Sequence, residues 1–353
     1  MPDTVLDRGL SVCPSPIGTR ERIVLGHGSG GRLSANLVHD LFLPLFSNPV
    51  LDRLDDQAIL EIDGARLAFT TDSFVVRPLF FPGGDIGSLA VHGTINDLAM
   101  GGATPLYLSA GFIVEEGFPI ESLRRIAASM GGAAAAAGVA IVTGDTKVVE
   151  RGKGDGVFIN TSGIGRVPSG IDLSSNRARP RDIVILSGTV GDHGMAIMSS
   201  REGLEFESTI VSDSASLHQL VAEMLGVSRG IRCLRDPTRG GLSGTLNEIA
   251  AQSQVSIEVE ESRIPIREEV RAACELLGLD PLYVANEGKL VAIVAPEDAD
   301  LLLAAMRRHP LGECAAIIGE VGKKYAGLVS VRTAFGSSRI LDLLPGEQLP
   351  RIC

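Results

Sequence analysis

Apolar residues recur at helical spacing soon after residue 30, and runs of alternating polarity follow them. The apolar residues on one face of this predicted helix are Leu33, Leu37, Val38, Leu41, Phe42 and Leu45. Asn48-Pro49 predicts the end of the helix. The next runs, AILEI and RLAFTTD, alternate in polarity, and Asp63-Gly64 between them is a strong signal for a two-residue hairpin turn. The pattern therefore predicts a helix followed by a β-hairpin.

Further along, helices are predicted over roughly 85–100 and 120–137, with strands at VAIVTGD and near VFINTSGIG. The stretch from Ile126 to Gly144 carries no charge and consists mostly of Ala and Gly. This composition indicates a buried small-residue helix that leads into a core strand, and it does not favour a membrane span.

A segment rich in Pro, Ser and Arg at 166–181 separates a second series of elements. That series is predicted to contain the strands DIVILSG, VSIEVE, KLVAIVA, AAIIGEV and GLVSV, and helices near 214–226, 241–253, 267–278 and 297–308. Because strands adjoin both hairpin turns and helices, the predicted fold class is α+β with two domains. The boundaries are an N-terminal extension at 1–21, domains at 22–166 and 180–331, and a tail without helix or strand partner at 332–353.

Net charge and the distribution of cysteines exclude several classes of function. The 353 residues suffice for about two domains, and a net charge of −11 without a Lys/Arg run excludes a large nucleic-acid footprint. No basic region precedes an apolar block at the N-terminus, so neither a secretory signal nor a membrane anchor is expected. The five cysteines are scattered and never form a CxxC pair. A disulfide framework or zinc site is therefore not expected, and the predicted compartment is the reducing cytoplasm.

The first helix is preceded by a glycine loop of spacing GxGxxG, formed by Gly26, His27, Gly28, Ser29, Gly30 and Gly31. Alone, this spacing is weak evidence for a dinucleotide site, and the hairpin after the helix does not fit a Rossmann unit. The lysine of a Walker A loop is also missing. The loop is predicted either to contact phosphates through its backbone N–H groups or to be only a tight turn.

Aspartates recur through the first predicted domain, at Asp55, Asp56, Asp72, Asp97 and Asp145. Each one alone has the alternative role of a turn residue or a helix N-cap. Together with the glycine loop they indicate a magnesium–nucleotide site, because Mg²⁺ binds through one or two carboxylates plus substrate phosphates.

Four further features each have a structural alternative. Lys147 would share a strand face with Asp145 or be a surface lysine. Glu287, between two apolar segments, would be a base or a turn residue, and the loop RDPTRGG at 235–241 would contact an anion or be an ordinary loop. His193 is predicted to have a structural role at the start of a helix.

The chain ends on Cys353, and the eight residues from Gly346 span at most about 26 Å when extended. An arm of this kind can carry a thiol into a site and out again. The alternative is a frayed terminus without function.

Nearly the whole chain from about residue 22 onward resembles one family. The matching segments are GHGSGG, TTDSFVV, INDLAMGGATPLYLS, VTGDTKVVERGKGDGVFINTSGIG, SGTVGDHGMAIMSSREGL, RDPTRGGLSGTLNEIA, YVANEGKL and the terminal PRIC. They are similar to the HypE family of hydrogenase expression/formation proteins, maturation factors of nickel–iron hydrogenases. That family lies within the PurM-like, or aminoimidazole ribonucleotide (AIR) synthetase-like, superfamily. INDLAMGGATP marks only the superfamily, whereas RDPTRGGL and the cysteine-terminated tail are more specific.

The resemblance implies two AIR-synthetase-like domains, with N-terminal domains that pair across a homodimer into a β-barrel and bind ATP along the cleft. It also implies the reaction. A HypF-type carbamoyltransferase places a carbamoyl group on Cys353, and ATP drives dehydration of this thiocarboxamide to a thiocyanate. The cyano group then passes to iron on a HypC–HypD scaffold, and a flexible tail is needed to reach each partner.

Residue roles follow from the same resemblance. The glycine loop and Asn96 would bind ATP, and Mg²⁺ would be held by Asp55, Asp56, Asp72, Asp97 and Asp145. The catalytic residues would be Cys353, Glu287 and Lys147. Glu287 would remove the N–H protons, and Lys147 would orient the carboxamide or stabilise charge.

Two other classes of function stay open from the sequence. One is a different ATP user of the superfamily, such as a selenophosphate synthetase or a thiamine-phosphate kinase, and Cys13 lies in the region where the former carries a reactive residue. The other is a non-catalytic carrier of the cyano group, against which the intact set of acids argues. The sequence does not decide whether the tail enters its own subunit's cleft or the neighbour's.

Overall fold

Two mixed β-sheets with helices packed on them form a two-domain α+β fold. The computed structural model describes residues 22–201, 210–346, 349 and 351–353. The predictions for residues 1–21, including that for Cys13, lie outside the described residues. No helix within the described ranges is long and apolar enough to cross a membrane.

The N-terminal half opens with one helical segment and continues into a five-stranded sheet. In the helical segment, α1 (Arg32–Leu37) and α2 (Leu43–Phe46) flank a π-helical turn. The elements that follow are β1 (Ala58–Ile62), β2 (Ala65–Phe74), β3 (Phe80–Phe81), β4 (Gly84–Asp85), α3 (Ile86–Met100), β5 (Thr104–Glu115), α4 (Ile120–Ala136), β6 (Ala140–Val149) and β7 (Val157–Arg166). The sheet has the order β1-β2-β7-β5-β6, and only β5 and β6 run parallel.

Local chemistry explains the key elements of this half. Asp63 and Gly64 adopt φ angles of 49° and 80°, the left-handed geometry that the predicted two-residue hairpin needs. Asp85 caps α3 by accepting hydrogen bonds from the N–H groups of Gly87 and Ser88. Helix α3 is buried almost all round, because the sheet covers one side and α4 and the C-terminal half cover the rest. A buried helix holds its side chains in fixed positions, which matters for the site below.

The C-terminal half contains β8 (Ile183–Leu186), α5 (Asp192–Arg201), α6 (His218–Val227), β9 (Ile231–Arg235), α7 (Gly241–Ser253), β10 (Ser256–Glu260), α8 (Glu268–Leu277), β11 (Val291–Val294), α9 (Ala299–Met306), β12 (Ala316–Gly322), β13 (Val329–Arg332) and β14 (Ser338–Ile340). Its seven strands have the order β14-β13-β10-β12-β8-β11-β9. The central strand β11 is buried at every position, as its continuous apolar run predicts.

Several predictions about elements are wrong. The sequence did not indicate β5 or β9, because small residues and charges interrupt their apolar pattern. The tail does have a strand partner, since β14 pairs antiparallel with β13. Strand β6 is not a core strand, because it forms the edge of its sheet and nine of its ten residues are exposed. An apolar run does not distinguish a strand buried within one chain from an edge strand that lacks a cover.

Candidate functional site

A cleft between the two halves contains a cavity of about 410 Å³. Its lining includes residues of the glycine loop, the first helical segment, β2, α3, β9 and the loop after it, α7, the segment before β11 and the C-terminal residue. The cavity walls carry most of the acidic residues that the sequence singled out, together with two arginines and the C-terminal residue. These lining side chains are Asp56, Asp72, Asp97, Arg235, Asp236, Arg239, Glu287 and Cys353.

Three of these carboxylates meet closely. Asp56, Asp97 and Asp236 each offer an oxygen, and these oxygens lie within 4.8 Å of one another. The Thr70 hydroxyl donates to Asp97 at 2.8 Å, which fixes that carboxylate in the cluster. Arg235 pairs with Asp56 at 2.9 Å, but Asp56 Oδ2 is buried without a hydrogen-bond partner. An all-carboxylate donor set with an unpartnered oxygen fits a hard cation such as Mg²⁺.

The electrostatics of the cluster point the same way. Burial, reinforced by the charges of Asp236 and Asp72, raises the pKa of Asp97 well above its usual range. Burial also raises the pKa of Asp236 to about 6, although Arg235 opposes this shift. Close buried carboxylates repel each other, and a cation among them would relieve that repulsion.

Cys353 reaches this cleft from its own chain. Cys353 and Glu287 line the same cavity, and Glu287 Oε1 is buried without a hydrogen-bond partner. Burial raises the pKa of Glu287 well above its usual value, and the charges of Asp236 and Asp72 add to the effect. Burial and the Glu287 carboxylate likewise raise the pKa of the Cys353 thiol.

A buried ion pair positions Glu287. Asp213 Oδ1 accepts the Glu287 N–H at 3.1 Å, and its Oδ2 pairs with Lys289 at 3.0 Å. Asn286 accepts the N–H of Gly191 at 2.7 Å and so holds the preceding residue. The backbone around Glu287 is therefore fixed on both sides, and its side chain lines the cavity that Cys353 also lines.

The glycine loop lies against the loop that carries Arg239. Gly30 adopts a φ of 76°, and a Cβ on it would come within 2.6 Å of the Arg239 carbonyl oxygen. Only glycine fits there. His27 and Gly28 line the cavity beside it, and Arg239 donates to the Gly28 carbonyl at 3.3 Å.

The other loop residues have structural contacts. Ser29 Oγ donates to the carbonyl of the buried Gly26 at 2.9 Å, which closes the turn. Gly31 packs on the carbonyl of Leu344 and leaves no room there for a Cβ. The loop is thus a tight turn that also borders the cavity.

The side chains of two predicted ligands, Asp55 and Asn96, form hydrogen bonds outside the acid cluster. Asp55 does not join the acid cluster, because its carboxylate accepts from Ser174 Oγ at 2.9 Å and from the Ser175 N–H at 3.0 Å. Asn96 does not line the cleft: its side chain donates to the Ala215 carbonyl at 3.0 Å and accepts from Leu217 N–H at 2.8 Å. Both side chains are thus engaged in contacts outside the acid cluster, and their roles in metal and nucleotide binding stay predictions.

Asp145 and Lys147 lie outside the cleft of their own chain. Both are exposed on β6, and their side chains pair with each other at 2.7 Å. This contact with Lys147 lowers the pKa of Asp145, the opposite of the shift at the cleft acids. Within one chain, the structure does not bring them to Glu287 or the acid cluster.

Asp236 and Arg239 are site residues that sequence reasoning did not select. The sequence leaves the loop RDPTRGG as either an anion contact or an ordinary loop. The signal that would have found Asp236 is its position directly after a strand, β9, whose end faces the cleft.

Comparisons with known proteins are consistent with this geometry. Two family models match, AIR synthase related protein, N-terminal domain, over residues 54–167, and its C-terminal domain over residues 179–331. The carbamoyl dehydratase HypE of Cupriavidus necator is 62% identical over 333 residues, which is 94% of this chain and 95% of that protein. The carbamoyl dehydratase HypE of Escherichia coli is 48% identical over 340 residues, which is 94% of this chain and 99% of that protein.

Solved structures agree in fold. The hydrogenase maturation protein HypE in complex with ATP is 54% identical, with a TM-score of 0.80 over 94% of this chain and 100% of that one. A HypE–HypF complex contains a chain that is 50% identical, with a TM-score of 0.84 over 87% of this chain and 99% of that one.

Proposed function

The chain belongs to the carbamoyl dehydratase HypE family, and on that premise we propose that it uses ATP to dehydrate a carbamoyl group on its own Cys353 to a thiocyanate. The cyano group is then delivered as a cyanide ligand to the iron of a nickel–iron hydrogenase. The observation that carries this proposal is that the C-terminal Cys353 and Glu287 line one acid-lined cavity.

The residues around the thiol suit the dehydration. The carbamoyl oxygen is a poor leaving group until it takes the terminal phosphoryl group of ATP. Loss of both N–H protons and departure of phosphate then leave the C≡N bond, and the net change is the removal of one water. Glu287 is the candidate base, because its raised pKa gives it the proton affinity that removal of a weakly acidic N–H proton needs.

Mg²⁺ fits the carboxylate cluster. Asp56, Asp97 and Asp236 would hold it, with Asp72 on the same cavity wall. When bound, Mg²⁺ neutralises charge on the phosphates of ATP. Arg239, which lines the cavity beside Cys353, offers a guanidinium for the same phosphates.

A second copy of the chain would complete the site. The edge strand β6 exposes the apolar side chains Val142 and Val148 along with Asp145 and Lys147. An open, apolar strand edge is unfavourable in water and pairs readily with another strand. The N-terminal domains of a homodimer would therefore meet at β6 and form a β-barrel. Asp145 and Lys147 of one copy would then reach the cleft of the other.

The tail has to leave the cleft to exchange groups with other proteins. A HypF-type carbamoyltransferase is the proposed donor, and a crystal structure of a HypE–HypF complex supports this partner. A HypC–HypD scaffold is the proposed acceptor of the cyano group. The reducing cytoplasm is the compartment in which the Cys353 thiol would stay unoxidised and able to exchange these groups.

Mass spectrometry of the C-terminal peptide tests the function. The protein is incubated with the carbamoyltransferase, carbamoyl phosphate and MgATP, and the expected products are a carbamoyl group on Cys353 and then ATP-dependent loss of one water. Cys314→Ser, at an exposed cysteine, is the matched control for Cys353→Ser and should behave as the wild type. Carbamoylation without water loss would instead support a carrier. An unmodified tail beside an active transferase would contradict the proposal.

A further inference from the structure

The last three residues of the chain are held by contacts that the chemistry at the thiol does not require. The N–H groups of Val75 and Arg77 donate to the carbonyl oxygens of Cys353 and Arg351, each at 3.2 Å. The tail thus docks through its backbone carbonyl groups on the segment that follows β2. Backbone bonds of this kind accept any sequence, so they do not select this tail.

A charge contact does select it. The Arg351 guanidinium forms an ion pair with Asp155, which lies in the loop between β6 and β7. Both side chains are less than one third exposed, so solvent screens the pair only in part. Arg77 also contacts Asp155, at 3.3 Å, but its side chain is largely exposed. Asp155 is therefore an acceptor for an arginine two residues before the terminal cysteine.

Ile352, between Arg351 and Cys353, also has specific contacts with the protein. Ile352 is 4% exposed and packs in the apolar cluster that contains Phe81 and Ala285. His193 Nε2 donates to the Ile352 carbonyl at 2.9 Å, and its Nδ1 accepts from Ser212 Oγ at 2.8 Å. His193 lies in the first turn of α5, where a structural role was predicted. It is fully buried, so the tail ends against a rigid wall.

We propose that Asp155, His193 and the apolar pocket of Ile352 form a recognition site for a C-terminal Arg-Ile-Cys sequence, with Asp155 as the specificity-determining residue that decides which thiol reaches Glu287. This inference rests on the proposed function for its purpose, because it names the peptide class that the dehydration site accepts. It assigns these residues to positioning, since their contacts are with Arg351 and Ile352. A cysteine on a tail without the arginine would visit the cleft less often.

Chemical labelling of Cys353 measures tail docking directly. The full-length protein without nucleotide is treated with iodoacetamide, and alkylation of the C-terminal peptide is followed by mass spectrometry, with exposed Cys314 as the internal reference. Asp155→Asn should raise the labelling rate of Cys353 about tenfold, because the partly buried guanidinium loses its counter-charge. Glu150→Gln is the matched control, since Glu150 is an exposed carboxylate on the same loop, and it should leave the rate unchanged.

Charge reversal separates recognition from damage to the loop. Asp155→Arg and Arg351→Asp should each speed labelling, and the double variant should return towards the wild-type rate. A structural role of Asp155 would not be repaired in this way. Arg351→Leu gives a second variant that leaves the domain itself untouched, and it should match Asp155→Asn.

Two results would overturn the proposal: an unchanged labelling rate in Asp155→Asn and Arg351→Leu, or a double reversal as fast as the single variants. Hydrogen exchange at the N–H groups of Val75 and Arg77 provides an independent readout of docking, and faster exchange should accompany faster labelling. Because labelling needs neither ATP nor a transferase, it distinguishes failure of this proposal from failure of the dehydration.

Discussion

Asp97 and Asp145, which the sequence assigns to one metal site, lie in opposite environments. Asp97 sits in the cleft, where burial and other carboxylates raise its pKa. Asp145 sits on an exposed edge strand, where Lys147 lowers its pKa. The cleft is electrostatically incomplete without a cation, whereas the edge strand is electrostatically satisfied and lacks only a cover for its apolar side chains.

The difference shows that the chain has two surfaces that each lack a binding partner, but partners of different kinds. The cleft requires a small ligand, because its acids repel one another at short range. The edge strand requires a protein surface, because Val142 and Val148 are more than half exposed beside a free row of backbone groups. The following experiments separate the two.

The largest effect is expected for Glu287→Gln in the cleft. Glutamine keeps the size of the side chain but removes the base, so water loss from carbamoylated Cys353 should slow by at least about 100-fold. The rate is measured by mass spectrometry of the C-terminal peptide. Glu268→Gln, at an exposed position in the first turn of α8, should leave it unchanged. A Glu287→Gln protein that forms thiocyanate at the normal rate would rule out Glu287 as the base.

Asp97→Asn should weaken metal binding and stabilise the ligand-free protein. Loss of a ligand should weaken Mg²⁺-dependent ATP binding by at least about tenfold. Removal of a repelled buried charge should stabilise the ligand-free protein by about 1 kcal/mol. Calorimetric titration and urea unfolding measure the two effects. Asp145→Asn should give no such stabilisation, because Asp145 already has its counter-ion; equal stabilisation by both variants would contradict the contrast.

Mixing two inactive variants tests whether β6 serves a second copy. Lys147→Ala and Glu287→Gln should each be inactive as homodimers. A mixed dimer would contain one wild-type site if Lys147 acts across the interface. Random reassortment of equal amounts should therefore restore about a quarter of the wild-type dehydration rate. If the mixture stays inactive after subunit exchange has been verified, Lys147 does not act on the neighbouring copy.

The smallest effect concerns a neutral histidine near the cleft. Burial lowers the pKa of His92 to about 4, and its Nδ1 is 3.0 Å from Ser214 Oγ of the other half. Below pH about 6.5 the unfolded chain takes up a proton that the folded protein does not, so stability is lost as the pH falls. Between pH 7 and 5.5 this contributes about 1 kcal/mol.

The measurement is urea unfolding of the wild type and His92→Gln across that pH range. The variant should show a shallower dependence of the unfolding free energy on pH, because the contribution of His92 is gone. The dependence should not vanish, because burial also lowers the pKa of His193 and His218. An unchanged slope would contradict the role of His92. Replacement of the exposed His39 should not alter the slope.

Much of this arrangement could be predicted from the sequence. Periodicity located most of the helices and strands, and three of the five singled-out aspartates, Asp56, Asp72 and Asp97, line the cavity. The sequence did not show which of two adjacent polar residues faces the cavity. Asp55 and Asp56 differ by one position, as do Asn96 and Asp97, yet only the second of each pair faces the cavity. In helix α3, one residue is a rotation of about 100°, and in the irregular segment before β1 the direction of each side chain depends on the local backbone. The sequence therefore cannot tell which neighbour faces inward until the packing is known.

Other failures have a different cause. The exposed position of β6 cannot be read from an apolar run, because its cover would come from another chain. Asp236 lies far along the sequence from the other acids of its cluster, and only the packing of the two halves brings it there.

The hydrogen bonds from Val75 and Arg77 to the tail have a kinetic consequence. Because the reacting thiol is tethered to its own catalyst, its effective concentration at Glu287 is on the order of millimolar or higher, whatever the dilution of the protein. The dehydration step should therefore follow first-order kinetics, independent of protein concentration as long as the chain stays dimeric. The same tether makes the cleft a competitor of every partner that needs the thiol, so tighter docking would speed the chemistry and slow the delivery.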